Sequence, residues 1–174
     1  MSKFVILDRD GTIIEDKGYV HKVGDLKFLP GAVSGLKKLQ TLGYKFIIIS
    51  NQAGIARGLY SPKDGEIFNR ELTARLAKSG VKIKKIYICP HHPDFTGKCP
   101  CRKPETGLAK LAAKEFGINL KRSIFIGDKD SDIQFGKNCK GTTFLICNDQ
   151  YQSTKKPDHE VRNLLEVADT IKNF

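Results

Sequence analysis

The sequence lacks any apolar run that approaches the ~18 residues needed to span a bilayer. It also lacks the apolar segment of a secretory signal, because its first apolar run, residues 4–7, is short and leads directly into acidic residues. There is no internal repeat, low-complexity tract or linker-like stretch. We therefore expect one domain over residues 1–174, a cytoplasmic location and no membrane partner.

Acidic residues are too few to balance the basic ones: 19 Asp and Glu face 30 Lys and Arg, for a formal net charge of +11. Such an excess is typical of proteins that bind nucleic acid, acidic membranes or small anions, so charge alone does not decide between them. The lysines are scattered, and no basic strand carries a series of aromatic residues on which bases could stack. We expect a small anionic substrate, no nucleic-acid partner and a monomer.

Short apolar runs alternate with amphipathic stretches along most of the chain. The runs are rich in Ile, Val and Phe, and they predict strands at residues 4–7, 45–49, 85–88, 123–126 and 143–146. Apolar residues at helical spacing predict helices at residues 30–42, 62–79, 106–116, 130–138 and 161–171. This alternation predicts an α/β fold, in which a single Rossmann-like domain has a parallel sheet flanked by helices.

Polar residues directly follow three of the predicted strands. Asp8 and Asp10 follow the first, Ser50 the second and Asp128 the fourth. Ligands of open parallel sheets bind beyond the carboxyl ends of the strands, so three such ends together favour a site over isolated turn residues. The three acids would hold Mg²⁺, which takes oxygen ligands, while Ser50 and Lys103 would donate to phosphate oxygens. This set of groups suits phosphoryl transfer.

Three of the five cysteines lie within residues 89–101, which read CPHHPDFTGKCPC and are called the cysteine loop below. Thiolates and imidazole are the ligands that Zn²⁺ prefers, and four of them complete a tetrahedron without an open position for water. Zinc is therefore expected to stabilise this loop rather than to catalyse. The proposed ligands are Cys89, His91, Cys99 and Cys101, with His92 as the alternative to His91.

Four motifs, in this order, resemble those of the haloacid dehalogenase superfamily of phosphatases: DRDGT from Asp8, SN from Ser50, RKP around Lys103 and GDKDSD around Asp128. The resemblance implies that Asp8 attacks phosphorus and forms an aspartyl-phosphate. It implies that Asp10 protonates the leaving alcohol and then activates water. It also implies that Ser50 and Lys103 stabilise the phosphoryl group, and that Asp8, Asp128 and the backbone carbonyl of Asp10 ligate magnesium.

The segments DKGYV, SNQAGIARG, CPHHP and CRKPETG narrow the resemblance to the D-glycero-D-manno-heptose 1,7-bisphosphate 7-phosphatases, a branch without a large cap domain. This implies that the 7-phosphate is removed from a sugar bisphosphate on the route to lipopolysaccharide heptose. Arg102 would meet the distal phosphate. The implied substrate contacts are Asp16, Lys17, Gly18, Tyr19, Ser50, Asn51, Gln52, Ala53, Arg102, Lys103 and Lys129.

The sequence leaves the substrate and the roles of two residues open. Histidinol-phosphate phosphatases share much of the pattern, and nucleic-acid 3′-phosphatases share the nucleophile motif and a similar SNQ-GI-RG segment. Ala53 stands where a small polar residue is frequent, so the sugar and its anomer are open. Asp132 either steadies Lys103 or Lys129 or merely begins a helix. Arg57 either approaches phosphate or braces its own loop through backbone carbonyls.

Overall fold

The computed structural model describes residues 3–172, which form one parallel sheet of six strands in the order β3-β2-β1-β4-β5-β6. The chain builds one half of the sheet, then crosses to the other side of β1. This switch point lies at the carboxyl ends of β1 and β4, where open α/β sheets bind ligands. The strands are Lys3–Leu7 (β1), Tyr44–Asn51 (β2), Ile83–Cys89 (β3), Ile124–Gly127 (β4), Thr142–Ile146 (β5) and His159–Val161 (β6).

Seven α-helices accompany the strands within the described residues. The longest, α3, begins as its sequence predicts: Ser61 Oγ accepts a hydrogen bond from Asp64 N, and Pro62 occupies the first turn. The helices are Ala32–Thr41 (α1), Ala53–Ala56 (α2), Pro62–Lys78 (α3), Pro93–Thr96 (α4), Gly107–Phe116 (α5), Asp130–Asn138 (α6) and Leu164–Lys172 (α7). Two short 3-10 helices span Val23–Asp25 and Leu120–Arg122.

Two apolar clusters cover the two faces of the sheet. Side chains alternate along a strand, so Val5 and Leu7 of β1 pack against α1, α3 and α7, whereas Phe4 and Ile6 pack against α5 and α6. All four are at most 3% exposed. Strands buried on both faces explain the near-continuous apolar runs of the sequence.

The predicted α/β architecture is confirmed, with one sheet and no cap domain in residues 3–172. Within that range, no helix combines the length and apolarity that crossing a membrane would require. The sequence did not predict α2 or α4, because four residues are too few to display a helical period. The predicted domain limits, residues 1 and 174, lie outside the described residues.

Candidate active site

A buried lysine joins two carboxylates at the end of β1. Lys103 Nζ lies 2.6 Å from Asp8 Oδ1 and 2.6 Å from Asp132 Oδ1, and all three side chains are at most 9% exposed. Burial favours the neutral amine, but the charges of Asp132 and Asp8 outweigh it and raise the pKa of Lys103. Lys103 is therefore a permanent cation beside Asp8.

Asn51, the last residue of β2, positions the backbone of Lys103. Asn51 Nδ2 donates to Lys103 O at 3.1 Å, and Lys103 N donates to Asn51 Oδ1 at 3.0 Å. The loop that carries Lys103 is thereby held against the sheet at the one residue whose side chain must reach Asp8. Two motifs more than fifty residues apart in the sequence become one unit in this way.

Three carboxylates form what we call the acid cluster: one oxygen each of Asp8, Asp128 and Asp132 lie within 4.8 Å of one another. Asp128 packs so closely on the DRDGT turn that a Cβ on Gly11, whose φ is +79°, would lie 2.2 Å from Asp128 Oδ2. Only glycine permits both this φ and this approach.

The acid cluster has the properties of a site for a hard cation. Burial raises the pKa of Asp128 to about 8, and the charges of Asp8 and Asp132 add to that rise. Asp128 Oδ1 is buried without a hydrogen-bond partner in residues 3–172. Buried polar atoms are rarely left unpaired, so an unpaired oxygen among three acids fits Mg²⁺.

Asp132 combines the two roles that its sequence position left open. Its Oδ1 faces Lys103, and its Oδ2 accepts a hydrogen bond of 3.1 Å from Lys129 N at the start of α6. The acid therefore caps the helix and holds the lysine at once. A Cβ on Gly127 would lie 2.2 Å from Asp132 Cβ, so the strand end also requires glycine for this packing.

The Asp10 carboxylate turns away from the acid cluster. Arg9 Nε donates to Asp10 Oδ1 and Arg9 Nη2 to Asp10 Oδ2, both at 2.9 Å, while Gln52 Nε2 donates to Oδ2 at 3.0 Å. Burial raises the pKa of Asp10, against the opposing effect of the Arg9 charge. The same Gln52 nitrogen donates to Ser50 Oγ at 2.7 Å, which links Asp10 to the end of β2.

Arg9 supports this site, although the sequence did not predict it. Its side chain is only 1% exposed, and it donates to Asn69 Oδ1 and Val20 O at 2.8 Å each as well as to Asp10. It also lies 4.6 Å from the centroid of the Phe68 ring. The sequence signal for Arg9 was its position between Asp8 and Asp10, because a cation next to two acids is well placed to orient one of the carboxylates.

A cavity of about 370 Å³ opens beside these groups. Lys129 Nζ, on its wall, donates to Asp16 Oδ2 at 2.8 Å. Tyr60 and Ser131 also line it, although neither was predicted. The predicted substrate contacts that line it are Asp16, Gly18, Tyr19, Ser50, Asn51, Gln52, Ala53, Arg102, Lys103 and Lys129.

Lys17 lies outside this cavity, contrary to its predicted position on the wall. Its Nζ is 3.9 Å from Glu15 Oε2, and its side chain is 54% exposed. The cause is local: Gly18 N donates to Asp16 Oδ1 at 2.9 Å, and this turn directs the intervening residue outward.

The cysteine loop brings three thiols together. Their Sγ atoms are 3.0 Å apart for Cys89 and Cys101, 3.2 Å for Cys99 and Cys101, and 3.6 Å for Cys89 and Cys99. Three sulfur donors at such separations fit Zn²⁺ chemically. We call them the thiol cluster.

No histidine nitrogen joins the thiol cluster within the described range, so His91 as the fourth ligand stays a prediction. His92 is engaged elsewhere, since its Nδ1 accepts a hydrogen bond of 3.3 Å from Asp94 N and its ring packs edge-on against Phe95. His91 O accepts a hydrogen bond of 3.0 Å from Arg102 Nη1. This contact ties the loop to a residue of the cavity wall.

Comparison with known proteins agrees with this geometry. Residues 3–164 match the family described as Polynucleotide kinase 3 phosphatase. A relative from Helicobacter pylori, named D-glycero-beta-D-manno-heptose-1,7-bisphosphate 7-phosphatase, is 42% identical over 172 residues, which are 98% of each chain. A Photorhabdus laumondii protein named for the alpha anomer is 44% identical over 140 residues, covering 78% of this chain and 76% of its own.

A solved structure has the same fold and a bound phosphate. The D,D-heptose 1,7-bisphosphate phosphatase from B. bronchiseptica, complexed with magnesium and phosphate, superposes with a TM-score of 0.87 at 26% identity, covering 98% of both chains. The match to the family covers all six strands and includes both the acid cluster and the cysteine loop. This chain belongs to the Polynucleotide kinase 3 phosphatase family of haloacid dehalogenase-like phosphatases.

Proposed function

We propose that this protein is a magnesium-dependent phosphatase that removes the 7-phosphate of D-glycero-D-manno-heptose 1,7-bisphosphate, in the cytoplasmic supply of heptose for lipopolysaccharide. The observation that carries the proposal is the Lys103 ammonium 2.6 Å from Asp8 at the base of a polar cavity. The names of the full-length relatives supply the substrate. A monomeric state stays a prediction.

Asp8 is the proposed nucleophile. One of its carboxylate oxygens attacks phosphorus, the bond to the sugar oxygen breaks, and an aspartyl-phosphate forms. Lys103 and the Ser50 hydroxyl hold the oxygens of the phosphoryl group, so negative charge that spreads over them during transfer meets a fixed cation and a donor. Because Lys103 is charged before substrate arrives, little reorganisation is needed when the reaction occurs.

Asp10 is the proposed acid and base. Its raised pKa suits a carboxyl group that gives a proton to the leaving sugar oxygen. The resulting carboxylate then takes a proton from the water that hydrolyses the aspartyl-phosphate. Arg9 and Gln52 hold the Asp10 carboxylate between these steps. Gln52 also donates to Ser50 Oγ, so it fixes the position of Ser50 relative to Asp10.

Asp8, Asp128 and the backbone carbonyl of Asp10 would hold Mg²⁺, which neutralises the acids and draws in the phosphate when it is bound. Zinc at the thiol cluster, with His91 as the proposed fourth ligand, would be structural. Its role would be to order the loop that leads from Cys101 into Arg102 and Lys103. This division follows ligand softness, since oxygen suits magnesium and sulfur suits zinc.

Two further cations support a substrate with two phosphates. Arg102 and Lys129 both line the cavity, and the Asp16 carboxylate neutralises only Lys129. We assign Arg102 to the distal phosphate. A monophosphate such as histidinol phosphate has no group for it to meet.

Steady-state kinetics with Mg²⁺ test this assignment. The panel contains both anomers of heptose 1,7-bisphosphate, histidinol phosphate and a 3′-phosphorylated oligonucleotide. We expect kcat/KM to be highest for a heptose bisphosphate, and Arg102→Ala to reduce it about 10–100-fold while affecting histidinol phosphate less. A preference for histidinol phosphate, or equal losses on both substrates, would contradict the proposal.

A nucleic-acid 3′-phosphatase is the second candidate, favoured by the family description and by the +11 charge. Such an enzyme would bind oligonucleotide through many phosphates, so its affinity would fall steeply with salt. The substrate panel separates the heptose bisphosphatase from the nucleic-acid 3′-phosphatase. Efficient turnover of the 3′-phosphorylated oligonucleotide, with a steep salt dependence, would favour the nucleic-acid enzyme.

A further inference from the structure

Arg57 lies between two aromatic rings, one of which, that of Tyr19, lines the cavity. Its Cζ is 4.6 Å from the centroid of Phe95 and 5.8 Å from that of Tyr19. Both distances are within the range of cation–π attraction. Tyr19 belongs to residues 16–21, called the flap here, and Phe95 belongs to α4 in the cysteine loop. Arg57 therefore bridges two segments that the backbone does not connect directly.

Neither role that the sequence left open for Arg57 accounts for its contacts. Across residues 3–172, its guanidinium donates no hydrogen bond to a carbonyl and pairs with no carboxylate. It also does not line the cavity, whereas Tyr19 does. Within residues 3–172 its side chain interacts with the two rings alone, and only Tyr19 lines the cavity, so any effect on substrate passes through the flap.

The flap is anchored at Asp16, which pairs with Lys129, and at Val20, whose carbonyl accepts a hydrogen bond from Arg9, so the residue between them, Tyr19, is the one that lacks support. Tyr19 has a φ of +49°, in the left-handed region that non-glycine residues rarely adopt, and its side chain is 44% exposed. Phe95 is 52% exposed, so burial in the core fixes neither ring. Arg57 itself is the C-cap residue of α2, anchored by Arg57 N donating to Ala53 O at 3.1 Å. Arg57, whose backbone is fixed at the end of α2, can therefore hold the exposed rings of Tyr19 and Phe95 in place.

We propose that Arg57 is a positioning residue that clasps the flap to the cysteine loop and thereby sets the affinity for substrate. The inference rests on the proposed function, because the flap presents Asp16, Gly18 and Tyr19 to the cavity. Without the clasp, the part of the flap around Tyr19 becomes mobile, and the substrate must order it on binding. The reacting groups at Asp8 are untouched, so the chemical step keeps its rate.

Kinetics on heptose 1,7-bisphosphate supply the first test. Arg57→Leu should raise KM about fivefold with kcat unchanged, because two exposed cation–π contacts are lost. Arg57→Lys, which keeps the charge, should give an intermediate KM. Arg70→Leu, at an exposed arginine of α3, is the matched control and should change neither constant. A fall in kcat with KM unchanged would overturn the proposal.

A double-mutant cycle tests the partner. Phe95→Leu should raise KM about twofold in the wild type and have no further effect in the Arg57→Leu background. Independent, additive effects would mean that Arg57 acts without Phe95, which contradicts the clasp.

Amide hydrogen exchange supplies a test that needs no substrate. Residues 16–21 should exchange faster in Arg57→Leu than in the wild type and in Arg70→Leu. Unchanged exchange alongside a raised KM would assign Arg57 to direct substrate contact and overturn the clasp. If the wild type does not hydrolyse heptose bisphosphate, the proposed function fails, while the exchange experiment still decides the clasp.

Discussion

The acid cluster and the thiol cluster are two candidate metal sites built in opposite ways. Asp8, Asp128 and Asp132 come from distant segments and meet because parallel strands end at one edge of the sheet. The three cysteines lie within residues 89–101 and meet because one loop folds back on the end of β3. The first site depends on the whole fold and the second on a local segment.

The two clusters also differ in the charge that the protein supplies. The Lys103 ammonium contacts two carboxylates of the acid cluster and compensates part of the cluster's negative charge without a bound metal ion. No lysine or arginine of residues 3–172 forms an ion pair in the thiol cluster, and burial, with help from Cys101, raises the pKa of Cys89. Zinc should therefore decide the order of its loop, whereas magnesium should chiefly decide activity.

The largest expected effect comes from the nucleophile. Asp8→Asn should reduce kcat/KM roughly 10⁴-fold or more, because a carboxamide does not attack phosphorus. Zinc content, measured by elemental analysis, should not change, since the thiol cluster does not depend on Asp8. Asp25→Asn, an exposed acid outside both clusters, is the control. Retained turnover in Asp8→Asn would refute the mechanism.

Loss of the buried cation should affect both activity and stability. Lys103→Met leaves two buried carboxylates without their partner, so we expect the free energy of unfolding to fall by about 3 kcal/mol. Activity should fall about 10²–10³-fold, as for other groups that stabilise a transferring charge. Urea unfolding and kinetics measure the two effects.

Lys98→Met, at an exposed lysine of the same loop, is the control for this variant. Equal stability of Lys103→Met and Lys98→Met would mean that the 2.6 Å contacts contribute nothing to folding.

Disruption of the thiol cluster should have a smaller effect on catalysis. Cys99→Ser should abolish stoichiometric zinc binding and reduce activity about tenfold through disorder of the loop that carries Lys103. Magnesium affinity should be retained, because the acid cluster lies on the sheet. Cys147→Ser, at an exposed cysteine, is the matched variant. Loss of magnesium binding along with zinc would show that the two sites are not separable.

The smallest effect is expected at Asp158, which lies in neither cluster. Burial opposes the ionisation of Asp158, but the hydrogen bonds from Thr143 N and Oγ1, at 2.8 Å and 2.7 Å, together outweigh it and lower the pKa of Asp158. A lowered pKa stabilises the fold above the unfolded value of ~3.9, and this stabilisation is lost as pH falls through the folded pKa.

Because Asp158 is exposed, screening limits the contribution to about 0.5 kcal/mol. Asp158→Asn should therefore be less stable than the wild type at pH 7, and the gap should close as the pH falls through the lowered pKa of Asp158. Unfolding measured across that range tests the sign. A stability difference between the wild type and Asp158→Asn that grows in acid would contradict the lowered pKa of Asp158. Asp158 could then not serve as the reference for a carboxylate that pairs with neither a metal nor a buried cation.

Apolar runs predicted five of the six strands, all except the three-residue β6, and the polar ends of β1, β2 and β4 were predictable because each of these apolar runs is short and stops at a residue that cannot be buried without a partner. The positions of Asp8, Ser50 and Asp128 at one rim follow from that pattern alone. Helix α6 was predicted with its observed bounds, Asp130–Asn138, because its apolar spacing and its acidic first turn agree.

What escaped prediction depends on contacts between distant residues or on very short segments. Burial of Arg9 depends in part on Asn69 and Val20, which accept its hydrogen bonds, and no pattern near Arg9 in the sequence indicates these partners. Lys17 is carried outward by a turn of three residues, although its neighbours line the cavity. Arg57 found aromatic partners from two separate loops, which no local pattern contains.

The paired hydrogen bonds between the Asn51 amide and the backbone of Lys103 have a consequence for how such enzymes diversify. The asparagine contacts only main-chain atoms of Lys103, so side chains in the segment ahead of Lys103 that lie outside the thiol cluster can change while the ammonium keeps its place. Side chains that contact the sugar can then change without moving the Lys103 ammonium, because one amide side chain fixes the backbone of Lys103 to the end of β2.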